Sequence, residues 1–161
     1  MLKYLNTDIV FQEIPDEVVL AINLTGCPCR CPGCHSSYLW ADSGEPLTTD
    51  VLDKLIAKCH SNITCVAFMG GDLSPKDVDG LGHYLRRKHS NLHIAWYSGR
   101  TLLAPSLNVN NFDYIKLGPY LAHLGSLRCR STNQRLYKIS NGTMHDITYR
   151  FWHGTAPLAQ S

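Results

Sequence analysis

Residues 63–97 read ITCVAFMGGDLSPKDVDGLGHYLRRKHSNLHIAWY, and this stretch decides the fold class. Ile63–Met69 is a short and mostly apolar run, typical of a buried strand, that ends at a glycine pair. Ser74-Pro75 then opens a helix, because proline is favoured in the first helical turn. Leu92–Tyr97 is a second apolar run. A strand, a helix and a strand in this order predict two parallel strands joined by a crossover helix.

The rest of the chain continues this alternation. Further strands are predicted at Ile9–Ile14, Glu17–Leu24, Tyr114–Leu117, Arg135–Ser140 and Met144–Tyr149, and a further helix from Thr48 or Thr49 to Cys59. Pro15-Asp16 is the turn between the first two strands, and Asn141-Gly142 is a strong signal for a two-residue hairpin. These strands are too few to close an eight-stranded barrel. We therefore expect one α/β domain over residues 1–161, a shortened and open (β/α) partial barrel with an N-terminal strand pair and a C-terminal hairpin.

Four of the predicted strands end in distinctive loops. These loops are the cysteine-rich segment after Leu24, then Gly70-Gly71-Asp72, Ser98-Gly99 and Gly118-Pro119. The carboxyl ends of parallel strands meet at one edge of a sheet, where ligands gather in α/β folds. The sequence therefore predicts a single functional site at this edge.

Composition and charge narrow the class of protein. The chain has 161 residues, of which 44% are hydrophobic and 17% charged, as expected for a globular domain. Its longest apolar run, Val18–Ile22, is far shorter than the ~20 residues that span a bilayer. Polar residues interrupt the N-terminus, so no signal peptide is predicted. These features favour a soluble, cytoplasmic protein without a membrane partner.

The charge is uneven along the chain. Residues 1–80 hold eleven acidic residues and five Lys or Arg, whereas residues 81–161 hold two and ten. No acidic residue occurs from Tyr114 to His145. This stretch predicts either a basic surface for an anionic partner or merely two differently charged faces of one domain. The sequence pI of about 8.2 is too mild to indicate a nucleic-acid partner.

Four of the seven cysteines fall within eight residues, in the segment GCPCRCPGCH of residues 26–35. Such close spacing is typical of a metal site in a cytosolic protein. All four thiolates could bind one zinc ion, or Cys27, Cys31 and Cys34 could bind a 4Fe–4S cluster that keeps one iron open. Cys29 would then be a fourth ligand, a redox-sensitive bystander or a small loop filler, of which we favour the bystander. The remaining cysteines, predicted to be buried hydrophobic residues, are Cys59, Cys65 and Cys129.

The C-x3-C-x2-C spacing after one strand, with Gly70-Gly71-Asp72 after the next, resembles the radical S-adenosylmethionine (SAM) superfamily. Many members have an aromatic residue immediately before the third cysteine, where this chain has Gly33. The activating enzymes of anaerobic (class III) ribonucleotide reductase typically have glycine there, so the departure narrows the resemblance. Further matches to these activases are Cys34-His35 followed by Trp40, Phe68–Asp72, Ala95–Gly99, Leu117–Tyr120 and Arg130–Arg135.

This resemblance implies a radical SAM type of partial barrel, two cofactors and a protein substrate. Cys27, Cys31 and Cys34 would hold a 4Fe–4S cluster, whose open iron binds SAM. Reductive cleavage of SAM would give a 5′-deoxyadenosyl radical, which takes a hydrogen atom from a glycine of the anaerobic reductase and leaves a glycyl radical. A small reductant protein such as flavodoxin would supply the electron. The residues expected to bind SAM are Gly33, Cys34, His35, Gly70, Gly71, Asp72 and Ser98.

Several alternatives stay open at this point. The chain could activate another glycyl-radical enzyme, or it could be a zinc-binding interaction module without catalysis. Asp72 could contribute charge or simply order its turn, and Ser98 could bond the ribose or carboxylate of SAM or form only a turn. His35 could pack instead of binding. The motif Asn133-Gln134-Arg135 could face a protein partner or brace the edge of the sheet.

Overall fold

The structure, a computed structural model, describes residues 1–34 and 37–152. The strands are β1 (Lys3–Val10), β2 (Val19–Leu24), β3 (Glu45–Pro46), β4 (Cys65–Met69), β5 (His93–Tyr97), β6 (Tyr114–Leu117), β7 (Arg135–Ser140) and β8 (Thr143–Asp146). The α-helices are α1 (Thr49–Ala57) and α2 (Pro75–Lys88), and short 3-10 helices cover Ser37–Trp40, Val109–Asn111 and Thr148–Trp152. The expected α/β class is confirmed.

All eight strands belong to one mixed sheet, in the order β3-β1-β2-β4-β5-β6-β7-β8. The four central strands, β2, β4, β5 and β6, are mutually parallel. On either side the outer strands pair antiparallel. The loops after the four parallel strands therefore share one edge of the sheet, as predicted.

Both helices pack on the same face of the sheet, and the apolar side of each contributes to the larger hydrophobic core. Thr48 caps α1 by accepting a hydrogen bond from the Val51 amide at 3.2 Å, and Pro75 opens α2, as predicted. Leu52 of α1 and Leu85 of α2 are completely buried in the larger hydrophobic core. Each such leucine stabilises the fold by about 2–5 kcal/mol relative to alanine.

The opposite face of the sheet carries smaller side chains. Cys65, Ala67 and Ala95 point to this face, whereas Phe68 and Trp96 point to the helices. Successive residues of a strand point to opposite faces, so each parallel strand contributes to both cores. The cavity of about 660 Å³ described below lies on this face, beside this second core.

The first strand lies elsewhere than predicted. The expected strand Ile9–Ile14 is wrong, because β1 is Lys3–Val10 and pairs with β2 in the register Val10↔Val19. Most of β1 is at least partly exposed, and polar residues occupy it, so it lacks the apolar run that marks a buried strand. Asn6 instead accepts a side-chain hydrogen bond from Asn23 of β2 at 2.7 Å.

The C-terminal hairpin forms at the predicted place. Asn141 and Gly142 both have positive φ, 52° and 77°, as the two-residue turn requires. The second strand of the hairpin ends at Asp146, three residues before the predicted end, because Thr148–Trp152 turns into a 3-10 helix.

The sheet has β3 and β8 at its two edges and is not a closed barrel. Across residues 1–34 and 37–152, no helix combines the length and the apolar character needed to cross a membrane.

Candidate functional site

A cavity of about 230 Å³ opens at the carboxyl edge of the parallel strands. All four clustered cysteines line it, together with residues that follow or end each of the parallel strands. Its wall includes Cys27, Cys29, Cys31, Cys34, Met69, Gly70, Tyr97, Gly99, Lys116, Tyr120 and Gln134. The convergence of the four loops predicted from the sequence is thus confirmed, and the cysteines lie at its centre.

The cysteine loop is held at its base by the segment that follows it. The Cys27 amide donates to the Leu39 carbonyl at 3.2 Å. The Arg30 guanidinium lies over the Trp40 ring, 5.6 Å from its centroid. Arg30 itself has a φ of 45°, so the backbone turns between Cys29 and Cys31. These contacts hold residues 26–34 in a loop whose four cysteines line the cavity.

Gly33 allows the loop to turn before Cys34, the third cysteine of the C-x3-C-x2-C motif. Its φ is +76°, and a Cβ at this position would lie 3.6 Å from the Tyr120 ring and 3.7 Å from Ala122. Only glycine adopts such a backbone without strain. Cys34 follows directly, with its amide donating to the Cys31 carbonyl at 3.0 Å. The expected SAM contact His35 lies outside the described residues.

The two glycines after β4 differ in their surroundings. Gly70 lines the cysteine cavity, and its backbone is fixed because its amide donates to Tyr97 and its carbonyl accepts from the Trp96 indole. Gly71 is needed for packing, since a Cβ there would lie 2.7 Å from Val78 and 2.8 Å from Leu24. Gly71 therefore sets the close approach of the turn to the core.

Asp72 is buried, and three donors satisfy its carboxylate. Ser98 Oγ donates to one oxygen at 2.5 Å, while the Gly99 amide and Cys29 Sγ donate to the other at 2.8 Å and 3.6 Å. Asp72 and Ser98 do not line the cysteine cavity but a separate cavity of about 550 Å³ beside it. In this arrangement Asp72 joins the loops after β2, β4 and β5.

Cys29 differs from the other three cysteines of the loop. Burial, followed by the negative charge of Asp72, raises the pKa of its thiol to about 12. A thiol held in the protonated form is a poor metal ligand, because metals bind the thiolate. The contact with Asp72 orients Cys29 towards the loop after β5.

The donor set suits an iron–sulfur cluster. Among the described residues, no three ligating side chains converge closely enough to bind one metal ion. The thiols are instead distributed around a shared cavity, and no cysteine of the seven is in a disulfide. In a 4Fe–4S cluster each thiolate binds a different iron, so cysteines around one cavity are compatible with such a group.

Lys116 is a site residue that the sequence reasoning missed. Its side chain is buried within β6 and lines the cysteine cavity. The ammonium donates to the carbonyls of Ser98 at 2.9 Å and Gly118 at 3.1 Å. Burial lowers its pKa, whereas the nearby Asp72 carboxylate and cysteines act in the opposite direction. The available signal was a lysine inside the otherwise apolar strand YIKL.

A larger cavity of about 660 Å³ adjoins the cysteine cavity on the sheet face that lacks α-helices. The two cavities share Tyr97, Lys116, Tyr120 and Gln134 as wall residues. At the rim of the larger one, Arg128 donates to the backbone and side chain of Gln12, both at 3.1 Å.

The remaining predictions have mixed outcomes. Cys59 and Cys65 are buried as predicted, but Cys129 is exposed, because its loop lies at the larger cavity instead of in the core. Of the basic residues in the acid-free stretch, Arg128, Arg130 and Lys138 are exposed and two are engaged elsewhere. Lys116 is buried, and Arg135 forms an ion pair with Asp146 at 3.6 Å.

Comparison with known proteins agrees with the chemistry of the cysteine loop. Residues 17–137, about three quarters of the chain, match a family model described as a 4Fe-4S single cluster domain. No solved structure matches.

Two curated relatives are the anaerobic ribonucleoside-triphosphate reductase-activating proteins of Salmonella typhi and Salmonella typhimurium. Each is 32% identical over 72 residues, which cover 42% of this chain and 47% of the relative. The chain thus spans about half the length of the curated relatives it matches. Their names confirm the resemblance that the sequence motifs indicated. With a family match over most of its length and four cysteines around one cavity, this chain belongs to the 4Fe-4S single cluster domain family.

Proposed function

We propose that this protein is a radical SAM activase that generates a glycyl radical on an anaerobic ribonucleotide reductase. The observation that carries the proposal is the shared cavity of the four cysteines at the carboxyl edge of four parallel strands. The family match and the names of the two relatives support the same reading. The open sheet is then part of a (β/α) partial barrel of the radical SAM type.

Cys27, Cys31 and Cys34 are the proposed ligands of a 4Fe–4S cluster. When bound, such a cluster with an open iron supplies the electron that cleaves SAM into methionine and a 5′-deoxyadenosyl radical. The thiol of Cys29 donates a hydrogen bond to Asp72, which supports a ligand set without Cys29. The chain needs no general base for this chemistry, because the cofactors carry it.

The residues around the cavity are proposed to orient SAM. Gly70 lines the cavity, Gly33 packs beside Tyr120 of the cavity wall, and His35 follows the third ligand in the sequence. Lys116 offers a buried ammonium that suits the carboxylate of SAM. Gly71, Asp72 and Ser98 are proposed to act by fixing the turns that carry these contacts, Gly71 through its packing and the other two through their hydrogen bonds.

The larger cavity is proposed to admit the glycine-bearing segment of the reductase. It adjoins the cysteine cavity through shared wall residues, so a bound segment would lie close to SAM. We further propose that the protein works in the cytoplasm, accepts its electron from a small reductant protein such as flavodoxin, and has no nucleic-acid partner.

The ligand proposal is tested by a matched pair of substitutions, Cys31→Ala and Cys29→Ala. After anaerobic reconstitution, we expect Cys31→Ala to lose SAM cleavage and most of its iron, because one ligand is missing. Cys29→Ala should keep about four irons per chain and still form 5′-deoxyadenosine. Equal loss in both variants would show that Cys29 is needed at the site. A colourless parent protein with one zinc per chain would contradict the enzyme proposal.

The partner is tested separately by electron paramagnetic resonance. Reconstituted protein, SAM and a reductant are mixed with the anaerobic reductase of the same source. A glycyl-radical doublet that requires SAM is the expected result. If 5′-deoxyadenosine forms without the doublet, the protein cleaves SAM but acts on another glycyl-radical enzyme.

A further inference from the structure

Four consecutive side chains hold one loop of the site. This loop, residues 118–125, follows β6 and is called the strap. The Ser131 hydroxyl donates to the Leu124 carbonyl at 2.7 Å, and the Thr132 hydroxyl donates to the Gly125 carbonyl at 3.2 Å. The side-chain amides of Asn133 and Gln134 donate to the carbonyls of Pro119 at 3.0 Å and Gly118 at 3.4 Å, respectively. The bonds reach both ends of the strap, so its conformation depends on residues 131–134.

The strap forms part of the wall around the cysteines. Its residues Tyr120 and Ala122 pack against Gly33, the residue before the third cysteine. Tyr120 and Gln134 line both the cysteine cavity and the larger cavity. The position of the strap therefore decides how open the cysteines are to the larger cavity.

The bonding pattern of residues 131–134 favours this role. Thr132 and Gln134 are buried, and the backbone amide of Gln134 donates to the Thr132 hydroxyl at 3.0 Å. The Asn133 side-chain oxygen is buried and has no hydrogen-bond partner in the described part of the chain. A buried acceptor without a partner is destabilising. The presence of asparagine at position 133 is thus better explained by the hydrogen bond that its side chain donates to the strap than by a contribution to overall stability.

We propose that Ser131–Gln134 are positioning residues that hold the strap against the cysteine loop and so limit the opening between the cysteine cavity and the larger one. The sequence left open whether this motif faces a partner or braces the edge of the sheet, and the bonds to the strap favour bracing. The proposal goes beyond the proposed function, because it concerns access to the cysteines whichever metal they bind.

The test uses the full chain, metal-free and reduced, with the pair Thr132→Val and Thr132→Ser. Valine keeps the shape of threonine but lacks the hydroxyl, whereas serine keeps the hydroxyl. Hydrogen exchange is followed at the Leu124 and Gly125 amides, which both donate to the Leu121 carbonyl at 2.9 Å within the strap. Alkylation of Cys34 by iodoacetamide is followed by mass spectrometry. Thr132→Val removes two hydrogen bonds, to the Gly125 carbonyl and from the Gln134 backbone amide. We therefore expect it to speed both reactions about ten- to a hundredfold, and Thr132→Ser to restore the parent rates.

A second variant guards against misfolding of the first. Asn133→Asp keeps the size of the side chain but replaces the donor to Pro119 with an acceptor, and the same acceleration is expected. Asn108→Asp is the matched control, because it makes the same change of side chain away from the strap but keeps the Oδ1 acceptor for the Asn110 amide. The Ile147 amide, which donates to Leu136 in the hairpin, is the internal reference.

Parent rates at the strap and at Cys34 in both Thr132→Val and Asn133→Asp would overturn the proposal. Equal acceleration of the strap and of the Ile147 amide would overturn it as well, because the motif would then stabilise the whole fold. Neither result bears on the proposed function, which is decided by iron content and SAM cleavage.

Discussion

Replacing Gly71 with alanine tests how the turn after β4 is built. The φ of Gly71 is +91°, and a Cβ would lie 2.7 Å from Val78 and 2.8 Å from Leu24. The backbone strain costs about 1–3 kcal/mol, and forcing a methyl group into a packed core costs about 1–3 kcal/mol more. The free energy of unfolding should therefore fall by about 2–6 kcal/mol, a large part of the 5–15 kcal/mol typical of a domain.

Two other glycines separate the two costs. Gly70 has a φ of +99°, but the nearest atom to its Cβ position is 3.6 Å away, so Gly70→Ala should show the strain alone. Gly80 lies exposed inside α2 with nothing within 4 Å of a Cβ. Gly80→Ala should raise stability by about 0.5–1 kcal/mol, because alanine is the better helix former.

Urea unfolding of the parent and the three variants measures these differences. All must be in the same metal-loading state, because a bound metal raises apparent stability. With a slope near 2 kcal/mol/M, the midpoint of Gly71→Ala should fall by about 1–3 M. A midpoint for Gly71→Ala no lower than that of Gly70→Ala would refute the packing argument. A loss of stability in Gly80→Ala would refute the helix argument.

Two further predictions concern charged side chains. Lys116→Met keeps the length of the side chain but removes the buried ammonium, so SAM should bind about ten- to a hundredfold more weakly with iron content unchanged; equilibrium binding and iron analysis measure both. The hydrogen bonds from His89 and Tyr84 lower the pKa of Asp53. The ionised carboxylate therefore stabilises the fold above pH ~4, and this stabilisation is lost as the pH falls through the lowered pKa. Asp53→Asn should therefore unfold more readily than the parent at pH 7, and the difference should shrink as the pH is lowered below ~4, as urea unfolding across this range would show.

The parallel core of the fold could be predicted because its signals are local. The apolar runs of β4 and β5, the cap at Thr48 and the turn Asn141-Gly142 each depend on a few neighbouring residues. The convergence of four loops followed from parallel pairing alone. The cysteine cavity was predictable for the same reason, since its loops end neighbouring strands.

The rest depends on pairings between distant residues. β1 carries no apolar run, so only its register with β2 reveals it. Lys116 gains its place in the site because β6 lies beside β5 and the Ser98 carbonyl accepts a hydrogen bond from its ammonium. The contacts from residues 131–134 to the strap join segments whose separate sequences do not indicate a bond. Such contacts are fixed by tertiary packing and leave no periodic pattern.

The strap also has a consequence for the order of events during synthesis. The cysteines lie in residues 27–34, whereas the side chains that hold their cover begin about a hundred residues later, at Ser131. At about 5–20 residues per second, translation needs roughly 5–20 s to cover this distance. During that interval the nascent thiols have no finished cover. The cell therefore has a period of seconds in which the loop is open to metal delivery and equally open to oxidation.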